Sequence, residues 1–225
     1  NEDMKNLFFH GYNNISLVPR GVDVKKFFPM NRNLNLVKKY NILENEIVIL
    51  TVANLTPVKG IDILIKSFSK LSYKYNFIRL FIVGHKDSDY GKSMESIAED
   101  SPFSSKIYFT GKVIDVEEYY SLGDIFVLPT TNKGEGCPVS LLEAMACDIT
   151  PIASNVSGIR DIMTPFPKLL FSVDKPGDLT EKIEGVIQTK RLVKNVYRKH
   201  IINKYNIDIE VSSHERIYKS LLSAN

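Results

Sequence analysis

Two glutamates flank a short turn in the middle of the sequence. Glu135 and Glu143 are eight positions apart, and Gly136, Cys137 and Pro138 follow the first of them. Pro138 suits the first position of a helix, and the residues after it are strong helix formers. The first turn of a helix presents unpaired N–H groups and a partial positive charge, which together attract phosphate. The stretch therefore predicts an anion site at a helix start, with a carboxylate on each side.

A carboxylate repels phosphate, so we expect the two glutamates to bind hydroxyl groups. Glu143 lies five residues past Pro138, roughly 7 Å along the helix axis at about 1.5 Å per residue, and can reach past a diphosphate held at the turn. Glu135 lies on the other side, in the loop. A nucleotide-sugar has this layout, because sugar hydroxyls, a diphosphate and ribose hydroxyls follow one another. The alternative is an ordinary core helix with a solvated glutamate at each end.

In this sequence Ala-Met-Ala follows the second glutamate. Together these residues resemble the E-x7-E signature of the retaining GT-B glycosyltransferases of the large family 4. The resemblance implies that Glu143 holds the ribose and that Glu135 contacts the donor sugar. It also implies that the backbone at the helix start holds sugar and phosphate, along Gly136, Cys137, Pro138, Val139, Ser140 and Leu141. Pro138 replaces a glycine that is common in the family and has no N–H to donate.

A lysine follows the first predicted strand. The turn from residue 51 to residue 60 needs only Pro57 and Gly60 to be explained. At the carboxyl end of a strand, Lys59 would neutralise phosphate as a point charge. The loop resembles the family loop in which an arginine and a lysine grip the diphosphate, with Asn54 in place of the arginine. We expect Lys59 to contribute more, because hydrogen bonds of charged groups contribute about 1.5 to 3 kcal/mol against about 1 kcal/mol for neutral ones.

Two further loops are compared with known families. Lys112 and Val113 follow Thr110-Gly111 and resemble the family loop beside the nucleotide base, although a simple strand-to-helix turn explains them equally well. The run from Asp87 to Asp89 could bind a divalent cation on a diphosphate, as in GT-A glycosyltransferases. Asp and Ser are also common turn residues, and that interpretation leaves the two-glutamate helix unexplained. We therefore expect no metal and no cofactor. The catalytic residues that we expect are Glu135 and Lys59.

Alternating strands and helices should position these loops. The predicted strands are Ile47 to Ala53, Phe77 to Gly84, Lys106 to Thr110, Ile125 to Leu128 and Ile149 to Ala153. Helical spacing lies between them, and the tail predicts the helices Leu179 to Ile187, Val193 to Tyr205 and Ile209 to Leu222. Such alternation predicts an α/β fold with a doubly wound, Rossmann-like parallel sheet. Ligands of such sheets bind at the carboxyl ends of the strands, where every loop discussed above lies.

The composition is typical of a folded globular protein. Of 225 residues, 44% are hydrophobic and 24% are charged, an ordinary globular mix, so disorder is not indicated. The net charge of +3 suits anionic ligands or an acidic membrane surface. Cys137 and Cys147 form no metal-ligand or disulfide pattern. We expect a cytoplasmic location and no nucleic-acid partner. A basic segment from Lys190 to His200 leaves open a peripheral contact with the inner face of a membrane, although such a run is more often a solvated helix face.

The start of the chain resembles an interdomain connection. Val18 to Asp23, with Phe27 after them, resemble the family's P-N-G-V-D-x-x-x-F crossover into its C-terminal domain, with Arg20 in place of Asn, and Ile15 to Pro19 predict a short strand. We divide the chain into a crossover segment at 1–30, a nucleotide-sugar-binding Rossmann-like domain at 31–174 and packed C-terminal helices at 175–225.

The resemblance implies the C-terminal, donor-binding half of a GT-B glycosyltransferase of the hexosyltransferase type. Such an enzyme transfers a sugar from a nucleotide-diphosphate sugar to an acceptor hydroxyl with retention. The acceptor, a glycan, a lipid or a small molecule, would bind mainly to an N-terminal domain absent from this sequence, so we expect this fragment to be incomplete as an enzyme. A non-catalytic nucleotide-binding regulatory module and a GT-B sugar-nucleotide epimerase are the alternatives, because fold alone does not decide function.

Overall fold

The computed structural model describes residues 15–131, 135–189 and 195–223. Within these residues six strands form one parallel sheet. In chain order they are β1 (Ile47–Val52), β2 (Ile78–Val83), β3 (Ile107–Gly111), β4 (Ile125–Leu128), β5 (Thr150–Ser154) and β6 (Leu170–Phe171). Their order across the sheet is β3-β2-β1-β4-β5-β6. The prediction of a doubly wound parallel sheet is confirmed.

Helices connect the strands and cover both faces of the sheet. Those before β4 are α1 (Leu34–Tyr40), α2 (Ile61–Ser72), α3 (Asp89–Glu99) and α4 (Val116–Tyr120). Those after β4 are α5 (Val139–Ala146), α6 (Ile159–Ile162), α7 (Asp178–Thr189), α8 (Val196–Lys204) and α9 (Ile207–Ser223). The apolar face of α2 illustrates the packing, because Leu64, Ile65 and Phe68 recur at helical spacing and are almost fully buried.

The core lies in two layers, one on each face of the sheet. Alternate residues of a strand point to opposite faces. Val48 and Leu50 of β1 accordingly join one apolar cluster, together with the α5 residues Leu141 and Leu142. Ile49 joins the other cluster, which contains the buried face of α2. Strand β1 is therefore buried on both faces, as expected for a central strand of a doubly wound sheet.

The strand order reverses between β1 and β4, which lie side by side at the centre of the sheet. The loops after these two strands contact each other directly, since Thr131 N–H donates to Val58 O at 2.7 Å. Gly60 has a φ of 61°, and a Cβ atom there would lie 2.1 Å from Pro129 O. Only glycine allows this close approach. Ligands of such sheets bind at the point where the strand order reverses. In this protein, the loops after β1 and β4 pack against each other at that point.

Three local predictions were wrong. Ile15 to Pro19 form no strand, although Val22 makes an isolated bridge to Asn206. Pro138 precedes the helix instead of beginning it, because its ψ of 98° is extended and α5 begins at Val139. The two-residue strand β6 was not predicted, since the sequence after β5 shows no alternating run of useful length. The start of the predicted helix from Val193 lies outside the described residues.

Across the described ranges, no helix is both long enough and apolar enough to cross a membrane. The division of the chain at 1–30, 31–174 and 175–225 stays a prediction.

Candidate functional site

Lys59 and Glu135 form an ion pair at the reversal point of the sheet. Thr130 Oγ1 donates a hydrogen bond to the same carboxylate oxygen, Glu135 Oε1, at 2.6 Å. The side chains of Lys59 and Glu135 are 25% and 13% exposed, so water still reaches the pair. Within the described part of the chain, Glu135 Oε2 accepts no hydrogen bond. The carboxylate is therefore held through one oxygen and offers the other.

Local backbone geometry brings these side chains together. Lys59 ends the 3₁₀ turn Pro57–Lys59, and the left-handed Gly60 then redirects the chain into α2. Thr130 is fully buried two residues after β4. The position of Glu135 is set from a third side, because its N–H donates to Ser157 O at 3.2 Å.

Gly158 is essential to that third contact. Its φ is 79°, and a Cβ atom at this position would lie 1.6 Å from Glu135 O. A side chain would therefore meet the backbone of the site residue itself. The loop between β5 and α6 and the loop after β4 fit together only because this residue is glycine.

The start of α5 leaves backbone donors open beside Glu135. Leu141 and Leu142 both donate to Pro138 O, at 3.1 and 3.3 Å. The N–H groups of Val139 and Ser140 meet no acceptor among the residues that the structure describes. Free N–H groups at a helix start carry partial positive charge and suit an anion. The predicted backbone site from Gly136 to Leu141 thus retains two free donors despite the missing N–H of Pro138.

Glu143 lies one helical turn further along α5 and contacts a buried tyrosine. Tyr120 Oη lies 2.8 Å from Glu143 Oε2 and 3.1 Å from Ser140 O. Burial raises the pKa of the Glu143 carboxyl, and Glu117 adds to this increase, whereas the Tyr120 hydrogen bond and Lys26 act in the opposite direction. Burial also raises the pKa of Tyr120 well above its usual value, so its hydroxyl keeps its proton.

The two carboxylates have separate hydrogen-bond partners. Glu135 accepts from Lys59 and Thr130, and Glu143 accepts from Tyr120. They are linked by the first turn of α5, which carries the open N–H groups. The arrangement offers, in order, a carboxylate with an adjacent cation, a helix start with open N–H groups and a second carboxylate.

The other predicted binding residues lie at the same edge of the sheet but are more exposed. Asn54 follows β1, and its side chain makes no hydrogen bond within the described ranges. Lys112 is exposed after β3, whereas Val113 packs against the core. Strand β3 is separated from β1 by β2. Among the described residues, Asn54, Lys112 and Val113 make no hydrogen bond or ion pair with Lys59 or Glu135, and their binding roles stay predictions.

The run from Asp87 to Asp89 forms a helix cap. Ser88 precedes α3, and its hydroxyl accepts a hydrogen bond from Gly91 N–H at 3.1 Å. Asp87 is exposed and lies 3.5 Å from the His85 ring. No cluster of three or more His, Cys, Asp or Glu residues suited to a metal occurs in the described part of the chain. The turn chemistry that competed with the GT-A interpretation accounts for this stretch.

The basic segment of the tail contributes one structural arginine. Arg198 donates hydrogen bonds to the carbonyl oxygens of Phe27, Ala146 and Val24, at 2.8, 2.7 and 3.0 Å. It joins the segment before α1 to the end of α5. Lys190, Arg191 and Lys194 lie outside the described residues, so the membrane contact stays a prediction.

Sequence reasoning missed Thr130, Tyr120 and the structural role of Gly158. From the sequence alone, Thr130 is the first polar residue after a predicted buried strand, and Tyr120 is part of a short predicted helix. Their roles depend on contacts with Glu135 and Glu143, which no local spacing encodes. Only Gly158 carries a local signal, since an isolated glycine often marks a turn or a close approach of the backbone.

Comparison with protein families gives one match over most of the chain. The sequence model described as Glycosyl transferases group 1 matches residues 33–204. Among curated proteins, a similar one is the N,N'-diacetylbacillosaminyl-diphospho-undecaprenol alpha-1,3-N-acetylgalactosaminyltransferase of Campylobacter jejuni. The two are 30% identical over 188 residues, which are 78% of this chain and 46% of the relative.

A second relative is the GDP-mannose-dependent monoacylated alpha-(1-6)-phosphatidylinositol monomannoside mannosyltransferase of Corynebacterium glutamicum. It is 30% identical over 174 residues, 72% of this chain and 45% of the relative. The chain thus spans about half the length of the curated relatives it matches.

Solved structures share the fold. A glycosyltransferase from Rickettsia africae superposes with a TM-score of 0.89 at 20% identity, covering 100% of this chain and 62% of that one. An Anabaena protein solved with UDP and glucose gives a TM-score of 0.81 at 16% identity, covering 97% and 60%. The C-terminal domain of a group 1 family protein from Francisella tularensis gives 0.70 at 22% identity, covering 83% of this chain and 100% of that domain.

Proposed function

Because the chain belongs to the glycosyl transferases group 1 family, we propose that it is the donor-binding half of a retaining glycosyltransferase. The proposed reaction transfers a sugar from a nucleotide-diphosphate sugar to an acceptor hydroxyl. The chain spans about half of its curated relatives, which supports a second domain that holds most of the acceptor.

The observation that carries the proposal is the meeting of Lys59, Glu135 and the start of α5 at the reversal point of the sheet. These groups come from the loops after two strands that are neighbours in space but not in sequence. A core helix with two solvated glutamates would not require a lysine and a buried threonine to converge on one carboxylate oxygen.

The chemistry follows from where charge develops. As the sugar leaves, negative charge grows on the departing diphosphate. The free N–H groups of Val139 and Ser140 and the ammonium of Lys59 stabilise that charge. Because Lys59 pairs with Glu135, the diphosphate has to compete with the carboxylate for this cation. A carboxylate released in this way can accept hydrogen bonds from the sugar, and we expect the protein groups to suffice without a metal.

Glu143 serves the nucleoside end in this proposal. It is separated from Glu135 by the anion-binding turn, and its Oε1 accepts no hydrogen bond from the described residues. A ribose hydroxyl can donate to this oxygen. Retention, like the role of Glu135 toward the donor sugar, rests on the resemblance of the two-glutamate stretch to its family. The Anabaena neighbour contained UDP and glucose, which supports a nucleotide-sugar donor here.

The names of two relatives suggest the kind of acceptor. One contains a diphospho-undecaprenol unit and the other a phosphatidylinositol unit. These names support a lipid-linked acceptor among the three classes expected from the sequence. A cytoplasmic location at the inner face of a membrane stays part of the proposal, as expected from the sequence.

The test is a calorimetric titration of the 225-residue chain with UDP, GDP and ADP. We expect one of the three to bind and Glu143→Ala to weaken that binding about tenfold, since a hydrogen bond to a charged group contributes about 1.5 to 3 kcal/mol. Glu118→Ala is the matched control, because Glu118 is an exposed carboxylate on α4. Absence of binding to all three would contradict the proposal, and unchanged affinity without Glu143 would favour a regulatory nucleotide-binding module.

A further inference from the structure

We propose that Tyr120 is a positioning residue, whose hydroxyl holds Glu143 in the orientation that binds the donor ribose. The inference rests on the proposed role of Glu143. It adds a residue from α4 to a site otherwise built from α5 and the loops after β1, β4 and β5.

The tyrosine ring is fixed by the core. Tyr120 is 1% exposed. Phe27 packs edge-on against it with ring centroids 5.7 Å apart, and Phe126 lies against it at 6.1 Å. A ring held on two sides gives its hydroxyl a defined location. Glu143 contacts this hydroxyl through Oε2 at 2.8 Å, which leaves Oε1 for a ligand.

The hydroxyl has one proton and two nearby acceptors. Ser140 O lies 3.1 Å from Tyr120 Oη, and Glu143 Oε2 is closer at 2.8 Å. Ser140 O also lies within α5, where a backbone N–H can bond it. The carboxylate has no other hydrogen-bond donor among the described residues. Donation to Glu143 therefore gives the larger benefit, because hydrogen bonds to charged acceptors are the stronger ones.

This contact opposes the effect of burial on Glu143. Burial favours a neutral carboxyl, which carries a proton and accepts hydrogen bonds less well. The Tyr120 hydrogen bond favours the ionised form. Tyr120 thus both orients the carboxylate and keeps it an acceptor for ribose hydroxyls.

The neighbouring tyrosine provides a matched control. Tyr119 is 7% exposed on the same helix, but its hydroxyl lies 3.2 Å from Tyr40 Oη. Its removal deletes a buried hydroxyl from α4 without touching Glu143. Phenylalanine at either position keeps the ring, so the two variants differ only in which hydroxyl is lost.

The experiment measures how strongly the protein prefers a ribose hydroxyl. The affinity of the protein for UDP is compared with its affinities for 2′-deoxy-UDP and 3′-deoxy-UDP. If the nucleotide panel selects guanine, GDP and its deoxy forms are used instead. We expect wild type to prefer the full ribose about tenfold at one of these positions. Tyr120→Phe should reduce that ratio to about threefold or less, whereas Tyr119→Phe should keep it.

A double-mutant cycle separates positioning from general stabilisation. In a Glu143→Ala background, Tyr120→Phe should leave the ribose ratio unchanged, because its effect passes through Glu143. A further loss in that background would overturn the inference. A Tyr120→Phe protein that fails to fold while Tyr119→Phe folds would also overturn it, since the hydroxyl would then serve the core.

The two proposals can fail separately. If Glu143→Ala keeps the full ribose preference, the proposed role of Glu143 is wrong. If Glu143→Ala abolishes the preference and Tyr120→Phe does not reduce it, only the role of Tyr120 is wrong.

Discussion

The two edges of the sheet both carry carboxylates with cationic partners, but the supporting contacts differ. At the amino edge, Asp124 Oδ2 accepts from Arg32 at 2.6 Å and from Val48 N–H at 2.8 Å. Next to it, Glu46 Oε2 accepts from Arg79 at 2.6 Å and, like Asp124, from a backbone N–H. Each of these carboxylates is therefore tied to the main chain.

At the carboxyl edge, the two carboxylates of the candidate site accept from side chains only, among the residues that the structure describes. Glu135 accepts from Lys59 and Thr130, and Glu143 accepts from Tyr120. A lysine is a flexible point charge, whereas an arginine offers a rigid fork of donors. We therefore expect the charge pairs to serve different purposes. Those at the amino edge hold the strands, and the pair of Lys59 and Glu135 at the carboxyl edge should exchange a protein partner for a ligand.

The sharpest way to break this comparison is to remove Arg79. Its guanidinium also donates to Tyr40 O and Asn41 O, both at 2.9 Å, and its side chain is 13% exposed. We expect Arg79→Ala to lower the free energy of unfolding by about 3 kcal/mol, since Glu46 would lose its cation in a buried site. Denaturant unfolding measures this loss, with exposed Lys66→Ala as control.

The same Arg79→Ala protein should bind nucleotide within about twofold of wild type, because its contacts lie at the opposite edge. A loss of affinity as large as the loss of stability would abolish the distinction between the two edges.

The converse experiment compares Lys59→Ala with Asn54→Ala. We expect Lys59→Ala to weaken nucleoside-diphosphate binding by about 2 kcal/mol, near thirtyfold, and Asn54→Ala by about 1 kcal/mol, near fivefold, since only lysine carries charge. The unfolding free energy of Lys59→Ala should change by less than about 1 kcal/mol, because water reaches the pair. Equal losses of affinity in a calorimetric titration would contradict this assignment, and Lys66→Ala again serves as control.

The smallest expected effect is a gain in stability from Glu143→Gln. The folded chain raises the pKa of this carboxyl from its ordinary 4.5. Its contribution to stability is therefore complete below about pH 4.5 and is lost as the pH rises through the raised value. Glutamine has no charge to bury, so the variant should be more stable than wild type at pH 7, by about 0.5 kcal/mol.

Denaturant unfolding of Glu143→Gln and wild type between pH 4 and 8 measures this difference. The charged and titrating groups around the carboxyl are Lys26, Glu117, Tyr120 and Cys147, and they are the same in both proteins. The advantage of the variant should shrink toward low pH. An advantage that stays constant across the range would show that ionisation of Glu143 is not its cause.

The sequence predicted the fold because its signals are local. The apolar run from Ile125 to Leu128 and the helical spacing of Ile61, Leu64 and Phe68 both identify their elements directly. Pro138 shows the limit of such signals, since proline suits both the first helical position and the residue before it, and only the observed ψ decides.

The site was predicted less completely, because its contacts join distant parts of the chain. Lys59 and Glu135 were both identified, yet their pairing depends on β1 lying beside β4. The glycine at position 158 is visible in the sequence, but the reason for it is the close approach of Glu135 O. The sequence presents residue types, and tertiary packing decides which of them meet.

The pairing of Lys59 with Glu135 has a consequence for the order of folding. The two residues are 76 positions apart, and β2 and β3 lie between them in the sequence. A folding molecule can assemble β1, β2 and β3 from nearby segments, but the pair forms only after β1 has also joined β4. Contacts between distant segments form late, since they close large loops. Binding of nucleotide during refolding would therefore show that β1 and β4 have paired. Nucleotide added at that stage would stabilise only molecules in which this pairing is complete.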